Sequence, residues 1–337
     1  MKKIVLTLLF SFCLFYGNSQ TSSFSMDQAI DYALKNSRSS VNASNDVKIA
    51  HAKKWETIAT GLPQINSFIE YNNNIKQPVS LVPAEFFGGN SGEFAELSFG
   101  TKQTIDGSVT LSQLLFDGSY SVGLASIKLY MEIAYNAKIK TDQEVKKSII
   151  AAYGNALVSQ ESVKILERNL SNVKSNLEEI NKIYNSGFTE LENVEQLKIT
   201  YGSIKNSLDY SIKLNKTSLN LLKLIMGYDI EKEIVLSNSL QDLTLKNILE
   251  KQSIEDFEIE KNIDYQMALN NSKSQQTLLT LEKSKALPTV RAFIKGGYDG
   301  NNNSFNFFKS DQKWYGYSTA GVSMSIPVFS SLRKSAK

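Results

Sequence analysis

The chain of 337 residues carries one histidine, His51, and one cysteine, Cys13, and these two bound its chemistry. A multi-histidine metal site or a facial triad needs ligands that a single chain of this composition lacks. Cys13 has no intrachain partner for a disulfide. A Ser-His-Asp or Cys-His device would have to run through His51. That residue lies between Ala50 and Ala52 in a helical run, with no nucleophile beside it, and reads as a surface or packing histidine. No catalytic, cofactor-binding or metal-ligating set emerges, so an enzyme has almost no residue support. Lys and Arg number 37 against 34 Asp and Glu, net +3. A balance so near neutral gives no reason to expect a nucleic-acid partner.

The chemistry that remains belongs to surfaces wet on one side and oily on the other. Four stretches alternate with period two. Gln64, Asn66, Glu70, Ser108, Thr110, Ser112, Arg291 and Lys295 point one way and are expected to face water. Ile65, Ile69, Val109, Leu111, Val290, Ile294, Val322 and Met324 point the other way and are expected to face lipid. The predicted strands run from 64 to 71, about 108 to 116, 289 to 295 and 317 to 326. A loop of roughly 73–105 separates the first two, and Gly296, Gly297 and Asn301–Asn303 fall in the loop between the last two. In the second strand Gln113 and Leu115 continue the Val109 side. Strands of about 9–11 residues with one apolar face suit a membrane barrel. Tyr71, Tyr298, Trp314, Tyr315 and Tyr317 gather near the loop ends, as an aromatic girdle would. A soluble sandwich with one wet face is the alternative. Four strands are too few to close a membrane barrel, so several chains would have to contribute.

The elements that must position these strands are long helices. Residues 1–19 read as a signal peptide, with a basic Met1-Lys2-Lys3, an apolar run from Ile4 to Tyr16, and small residues before a cut at Gln20. No later run is long and apolar enough for a membrane helix, so any membrane segment must be β structure. Ser25-Met26-Asp27-Gln28 forms a capping box for a helix expected to run to about Gly61, where Leu62-Pro63 stops it. Residues 119–186 hold no proline and only Gly123 and Gly154. Val163, Leu166, Leu170, Val173, Leu177, Ile180 and Tyr184 step by three and four, a heptad that predicts a supercoiled partner helix. Asn185-Ser186-Gly187 breaks that helix. Thr189 is the expected cap of the next, with Glu192 completing a capping box. The return helix carries Val194, Leu197, Tyr201, Ile204 and Leu208 at the same spacing and ends at Met226-Gly227. A mixed connector, 228–252, leads to a helix over 253–286, stopped by Leu287-Pro288.

The order helix, Leu-Pro, strand, loop, strand, Phe occurs twice. Gly61 to Ile69 matches Ala286 to Ile294, and Val109 to Phe116 matches Val322 to Phe329. The chain therefore divides into a first repeat, 20–227, the connector, and a second repeat, 253–337, that breaks off where a new helix begins.

These residues, in this order, resemble the TolC family of outer-membrane efflux proteins. The opening helix has that family's Leu-x-x-Ala-hydrophobic-x-x-Ala-Leu form in Met26, Ala29, Ile30, Ala33 and Leu34. Leu62-Pro63, Leu287-Pro288, the Leu115-to-Gly118 turn and Leu221, Leu224, Ile225, Met226 and Gly227 also correspond. So do Tyr184 and Gly187 at the hairpin tip, followed by Val194, Glu195 and Gln196. The resemblance implies a mainly α chain with membrane β. Its long coiled-coil hairpin would accompany four strands given to a trimeric, 12-stranded outer-membrane barrel. It implies a passive exit duct of a tripartite efflux or type I secretion system, reaching into the periplasm. Partners would be a homotrimer, outer-membrane lipid, an inner-membrane pump and a periplasmic adaptor docking around Tyr184, Gly187, Phe188, Thr189 and Glu190. Gly187 is expected to take a positive φ. The family's second long hairpin has no counterpart here, so the sequence reads as a C-terminally truncated fragment. A periplasmic coiled-coil adaptor or adhesin-type stalk is the alternative reading.

Overall fold

The computed structural model describes residues 22–244 and 258–329; the expected leader, residues 253–257 of the expected last helix, and the helix start after Phe329 lie outside them. Two compact units emerge: Met1–Ile49 with Ile133–Leu269, and Ala50–Glu132 with Asn270–Lys337.

The first unit is mainly helical. It holds strand β1 (Ser22–Phe24), helix α1 (Met26–Asn36) and the first part of α2 (Arg38–Thr60). Most of α3 (Gly118–Asn185), α4 (Leu191–Met226), strand β6 (Ile234–Leu236) and the start of α5 (Ile263–Ser284) complete it. The capping box forms as expected: Ser25 Oγ accepts from the Gln28 amide and Gln28 Oε1 accepts from the Ser25 amide. Ala29 and Ala33 are 0% exposed in a core shared with Ile149, Tyr153, Leu222 and Met226. The small alanines permit that close approach. Leu222 and Met226 supply this core, whereas Leu221 and Leu224 are exposed.

Three details of this unit differ from expectation or add to it. The helix from Ser25 does not run unbroken to Gly61. Ser37 is extended (φ −63°, ψ 142°) and separates α1 from α2. Gly227, at the end of α4, lies against this break; a Cβ there would sit 2.3 Å from the Asn36 carbonyl oxygen. Second, the connector holds β6, which pairs in parallel with β1, Ser22 opposite Ile234. Third, the described part of the last helix begins only at Ile263. A 3₁₀ turn, Ile259–Lys261, precedes it, and Asn262 Oδ1 accepts from the Asp264 amide.

The α3–α4 hairpin buries its heptad side. Val194 is buried, and Val163, Leu166, Leu170, Val173, Leu177 and Ile180 are partly covered, as are Leu197, Tyr201, Ile204 and Leu208. Ser159 Oγ lies 3.1 Å from Asn215 Oδ1 across the hairpin. Among the described residues no helix is long and apolar enough to cross a membrane.

The second unit is built on a four-stranded antiparallel sheet in the order β2 (Gln64–Asn73), β5 (Gln103–Asp117), β7 (Thr289–Asn302), β8 (Trp314–Ser325). The two strand pairs of the sequence repeat thus share one sheet, joined through β5 and β7. The strands outrun expectation. β5 starts five residues earlier than Ser108, and β7 continues through Gly296 and Gly297 to Asn302. The glycines are tolerated because each of four stands opposite an aromatic ring of the partner strand: Gly297 opposite Tyr317, Gly300 opposite Trp314, Gly316 opposite Tyr298, Gly321 opposite Phe293. A Cβ on these glycines would lie 2.9–3.2 Å from the facing ring. The ring thus fills the gap in the strand that a glycine leaves. The expected loop 73–105 also contains structure, a hairpin of β3 (Val79–Pro83) and β4 (Phe94–Ser98) around a 3₁₀ turn at Ala84–Phe87.

The strand-to-helix junction explains the Phe116-Asp117-Gly118 turn. Asp117 Oδ1 accepts from the Tyr120 amide, capping α3, and its Oδ2 accepts from the Thr289 hydroxyl at 2.7 Å. Gly118 must be small because a Cβ would meet the Ser284 carbonyl oxygen at 2.6 Å.

Candidate functional site

Residues directly opposite each other in an antiparallel ladder lie on the same face of the sheet. The register therefore sorts every sequence-expected barrel residue. Gln64 faces Ser112, Asn66 faces Thr110, and Thr110 faces Lys295. Glu70, Ser108 and Arg291 keep the same parity, so all eight expected water-facing residues share one face. The eight expected lipid-facing residues share the other. Ile65, Leu111 and Ile294 form one row, and Gln113, Ala292 and Val322 another. Seven of them are exposed and Val290 is half-buried. Phe68 and Phe293 interrupt the polar face, where Phe293 covers Gly321.

Two details differ from the alternation. A bulge between Leu114 and Phe116 displaces Leu115, so Phe116, not Leu115, joins Val290 and Met324 on the apolar face. The aromatic cluster also splits. Tyr71, Tyr298 and Trp314 lie on the apolar side, whereas Tyr315 and Tyr317 lie on the polar side. Phe307, 2% exposed, is drawn in from the β7–β8 loop, its ring edge-on to Tyr71 and tilted against Trp314.

Sequence reasoning missed Asp106 and Asp299 on the polar face. Asp106 continues the step of Ser108, Thr110 and Ser112, and Asp299 that of Arg291, Phe293 and Lys295. Following period two through the glycines would have found both.

The second candidate region is the tip of the α3–α4 hairpin. Gly187 has φ +79°. The Gly187 amide donates to the Tyr184 carbonyl and the Phe188 amide to the Ile183 carbonyl, a Schellman cap. The same cap ends α4, where Gly227 has φ +73° and the Tyr228 amide donates to the Lys223 carbonyl. The residue after the glycine fares differently at the two ends. The Tyr228 ring packs edge-on between Phe24 and Tyr32, while Phe188 is 85% exposed. Nothing in the turn requires a phenyl ring at 188. Thr189 is not the cap of α4. Glu190 occupies that position without a side-chain bond, and Thr189 Oγ1 accepts from Asn193 Nδ2 at 3.0 Å.

No protein-family model matches the sequence. No curated protein matches it either. Solved structures do. The outer membrane protein VceC from Vibrio cholerae is 15% identical, with a TM-score of 0.61, covering 92% of this chain and 70% of its own. The Campylobacter jejuni CmeC outer membrane channel is 16% identical, TM-score 0.60, covering 92% and 63%. CusC, described in connection with folding and transmembrane channel formation, is 16% identical, TM-score 0.63, covering 96% and 71%. The chain has the TolC-like fold of outer-membrane channels, over about two thirds of their length.

Proposed function

We propose that this protein is an outer-membrane exit duct whose barrel is completed by further copies of itself. The observation that carries the reading is the two-faced sheet. One face is apolar and exposed, the other polar, and among the described residues the outer strands β2 and β8 each leave an edge unpaired. In hydrocarbon every unpaired backbone group costs several kcal/mol, so such a sheet persists only when closed. β2 and β8 run in opposite directions, so copies continue the sheet antiparallel. Three of them give the 12-stranded barrel that the resemblance implies. Placed this way, Gln64, Asn66, Glu70, Ser108, Thr110, Ser112, Arg291 and Lys295 line the lumen. Ile65, Leu111, Ile294 and their row mates meet lipid. The duct is a passive conduit, without a catalytic step or cofactor of its own, for a tripartite efflux or type I secretion system.

Leu111→Arg places a charge on the lipid face, at about 2–4 kcal/mol per copy near the midplane. Thr110→Arg, one residue away, turns into the lumen. Heat-modifiable trimer in detergent should fall sharply for the first and stay near normal for the second. Equal yields, or a soluble monomer in both, would remove the barrel and favour a periplasmic stalk.

The hairpin tip is the docking element for a periplasmic adaptor linked to an inner-membrane pump. Tyr184, Gly187, Phe188, Thr189 and Glu190 form it, and the unshielded Phe188 is its apolar anchor. Phe188→Ser with Glu190→Lys should leave trimer yield unchanged and reduce adaptor crosslinking and export at least about tenfold, as loss of a buried aromatic anchor does. Crosslinking at the unmodified level would reduce the tip to a turn.

A further inference from the structure

We infer that the polar face of the sheet sorts what passes by charge, through an acidic tier near the loops and a separate basic tier deeper in. The inference rests on the conduit reading above and adds a specificity to it.

Glu70, Asp106 and Asp299 stand directly opposite one another on β2, β5 and β7. With strands about 4.8 Å apart, the row is about 10 Å wide. Like charges facing across strands destabilise a sheet, so stability gives no reason for the row. Among the described residues no basic side chain forms an ion pair with it either. Asp106 accepts from the Tyr317 hydroxyl (2.6 Å), Glu70 from Asn72 Nδ2 (3.1 Å) and Asp299 from Asn301 Nδ2 (2.5 Å), all neutral donors.

Within the paired strands of this face, among the described residues, the cation nearest the row is held apart. Lys295 pairs with Thr110, four residues along β5 from Asp106, or about 13 Å. Its ammonium lies over the Tyr317 ring, 5.4 Å from the centroid. Tyr317 thus touches both tiers, its hydroxyl on the carboxylate and its ring under the ammonium, and stands between charges that would otherwise pair. Arg291, a further four residues along β7, extends the basic tier. It shares its end of the face with Asp117, whose oxygens are committed to the Tyr120 amide and Thr289.

Among the described residues no group of His, Cys, Asp or Glu converges well enough to hold a metal ion, so the acidic tier acts as a field and not as a coordination site. Rings of acidic side chains favour cations in a water-filled pore and basic ones favour anions. Small cations and cationic solutes are the class the acidic tier favours at the loop end.

The test is ion selectivity of the intact protein in planar bilayers under a potassium chloride gradient. Glu70→Gln, Asp106→Asn and Asp299→Asn together remove the repulsion while keeping an oxygen for each hydrogen bond, and should leave trimer yield near normal. At about 0.1 M salt, where the screening length is about 10 Å, the triple variant should lower the K⁺/Cl⁻ permeability ratio at least about threefold. Lys295→Gln should raise it. Both shifts should vanish near 1 M, where screening falls to about 3 Å. Unchanged ratios at low salt in both variants would overturn the inference while leaving the conduit intact. A wild-type protein that does not conduct would overturn the conduit reading itself.

Discussion

Gly227→Val is expected to lower the stability of the helical unit by about 3 kcal/mol, a large share of what a domain of this kind possesses. Two costs combine. A β-branched residue resists the φ of +73° that the cap requires, and its Cβ would press on backbone atoms of Asn36, oxygen at 2.3 Å and carbon at 2.8 Å. Backbone cannot swing aside as a side-chain end can. Gly187 is the internal control. Its φ is +79°, but nothing lies within 4 Å of the place a Cβ would take. Gly187→Val should therefore cost only the conformational share, about 1–2 kcal/mol. Denaturant midpoints followed by far-ultraviolet circular dichroism would separate the two. Equal losses would mean that contact with the α1–α2 break contributes nothing.

Tyr153 offers the second large effect. Its side chain is 0% exposed in the core, and its hydroxyl donates to the Phe24 carbonyl (2.9 Å) while lying 3.2 Å from Asn238 Oδ1. Tyr153→Ala should cost about 3–5 kcal/mol through the cavity alone, and Tyr153→Phe about 1–2 kcal/mol for the hydroxyl's partners. The phenol also supplies a pH signature. Burial, above all, holds its pKa above the ordinary tyrosine value, outweighing the opposing hydrogen bonds to Asn238 and Ser237. The folded state therefore favours the neutral phenol. Its contribution is full below the unfolded value near 10 and is lost as pH rises from there through the folded value. Stability of the wild type should fall more steeply than that of Tyr153→Phe above about pH 10. Parallel profiles would refute a buried, proton-bearing Tyr153.

The parts of this architecture that could be read from the sequence are those whose signal is local. Ile65, Leu111 and Val322 repeat at period two because one face of their strand is apolar throughout. The heptad from Val163 to Ile180 is visible because the partner helix imposes one spacing along its whole length. Leu62-Pro63 and Leu287-Pro288 stop their helices through backbone sterics that any sequence carries. What escaped depends on distant chain. Ser37 interrupts a run that has every helical feature, at a point where Gly227 abuts Asn36. Gly296 and Gly297 look like a turn until Tyr317 is placed opposite one of them. Glu190 takes the cap position in place of Thr189, whose hydroxyl instead accepts from the Asn193 side chain one turn on. The residues expected on the polar side fall on one face over its central rows. Its acidic end was missed because Asp106 and Asp299 lie beyond the glycines.

The parallel pairing of β1 with β6 sets an order on biogenesis. Ser22 finds Ile234 more than two hundred positions later, and the core that holds Ala29, Ala33 and Tyr153 is closed by Leu222, Met226 and Leu236 from the same late stretch. A chain that enters its folding compartment N-terminus first must wait for more than two hundred further residues before the second half of that core arrives. Throughout that interval β1 lacks the strand it pairs with, and α1 lacks the Leu222 and Met226 side of its core. The nascent chain thus presents its earliest segment, unprotected, to whatever holdase or protease it meets, and commitment to the native state comes as a late event. Substitutions near Leu222 or Ile234 should then register first as lost abundance in the cell, before any change in what the finished protein does.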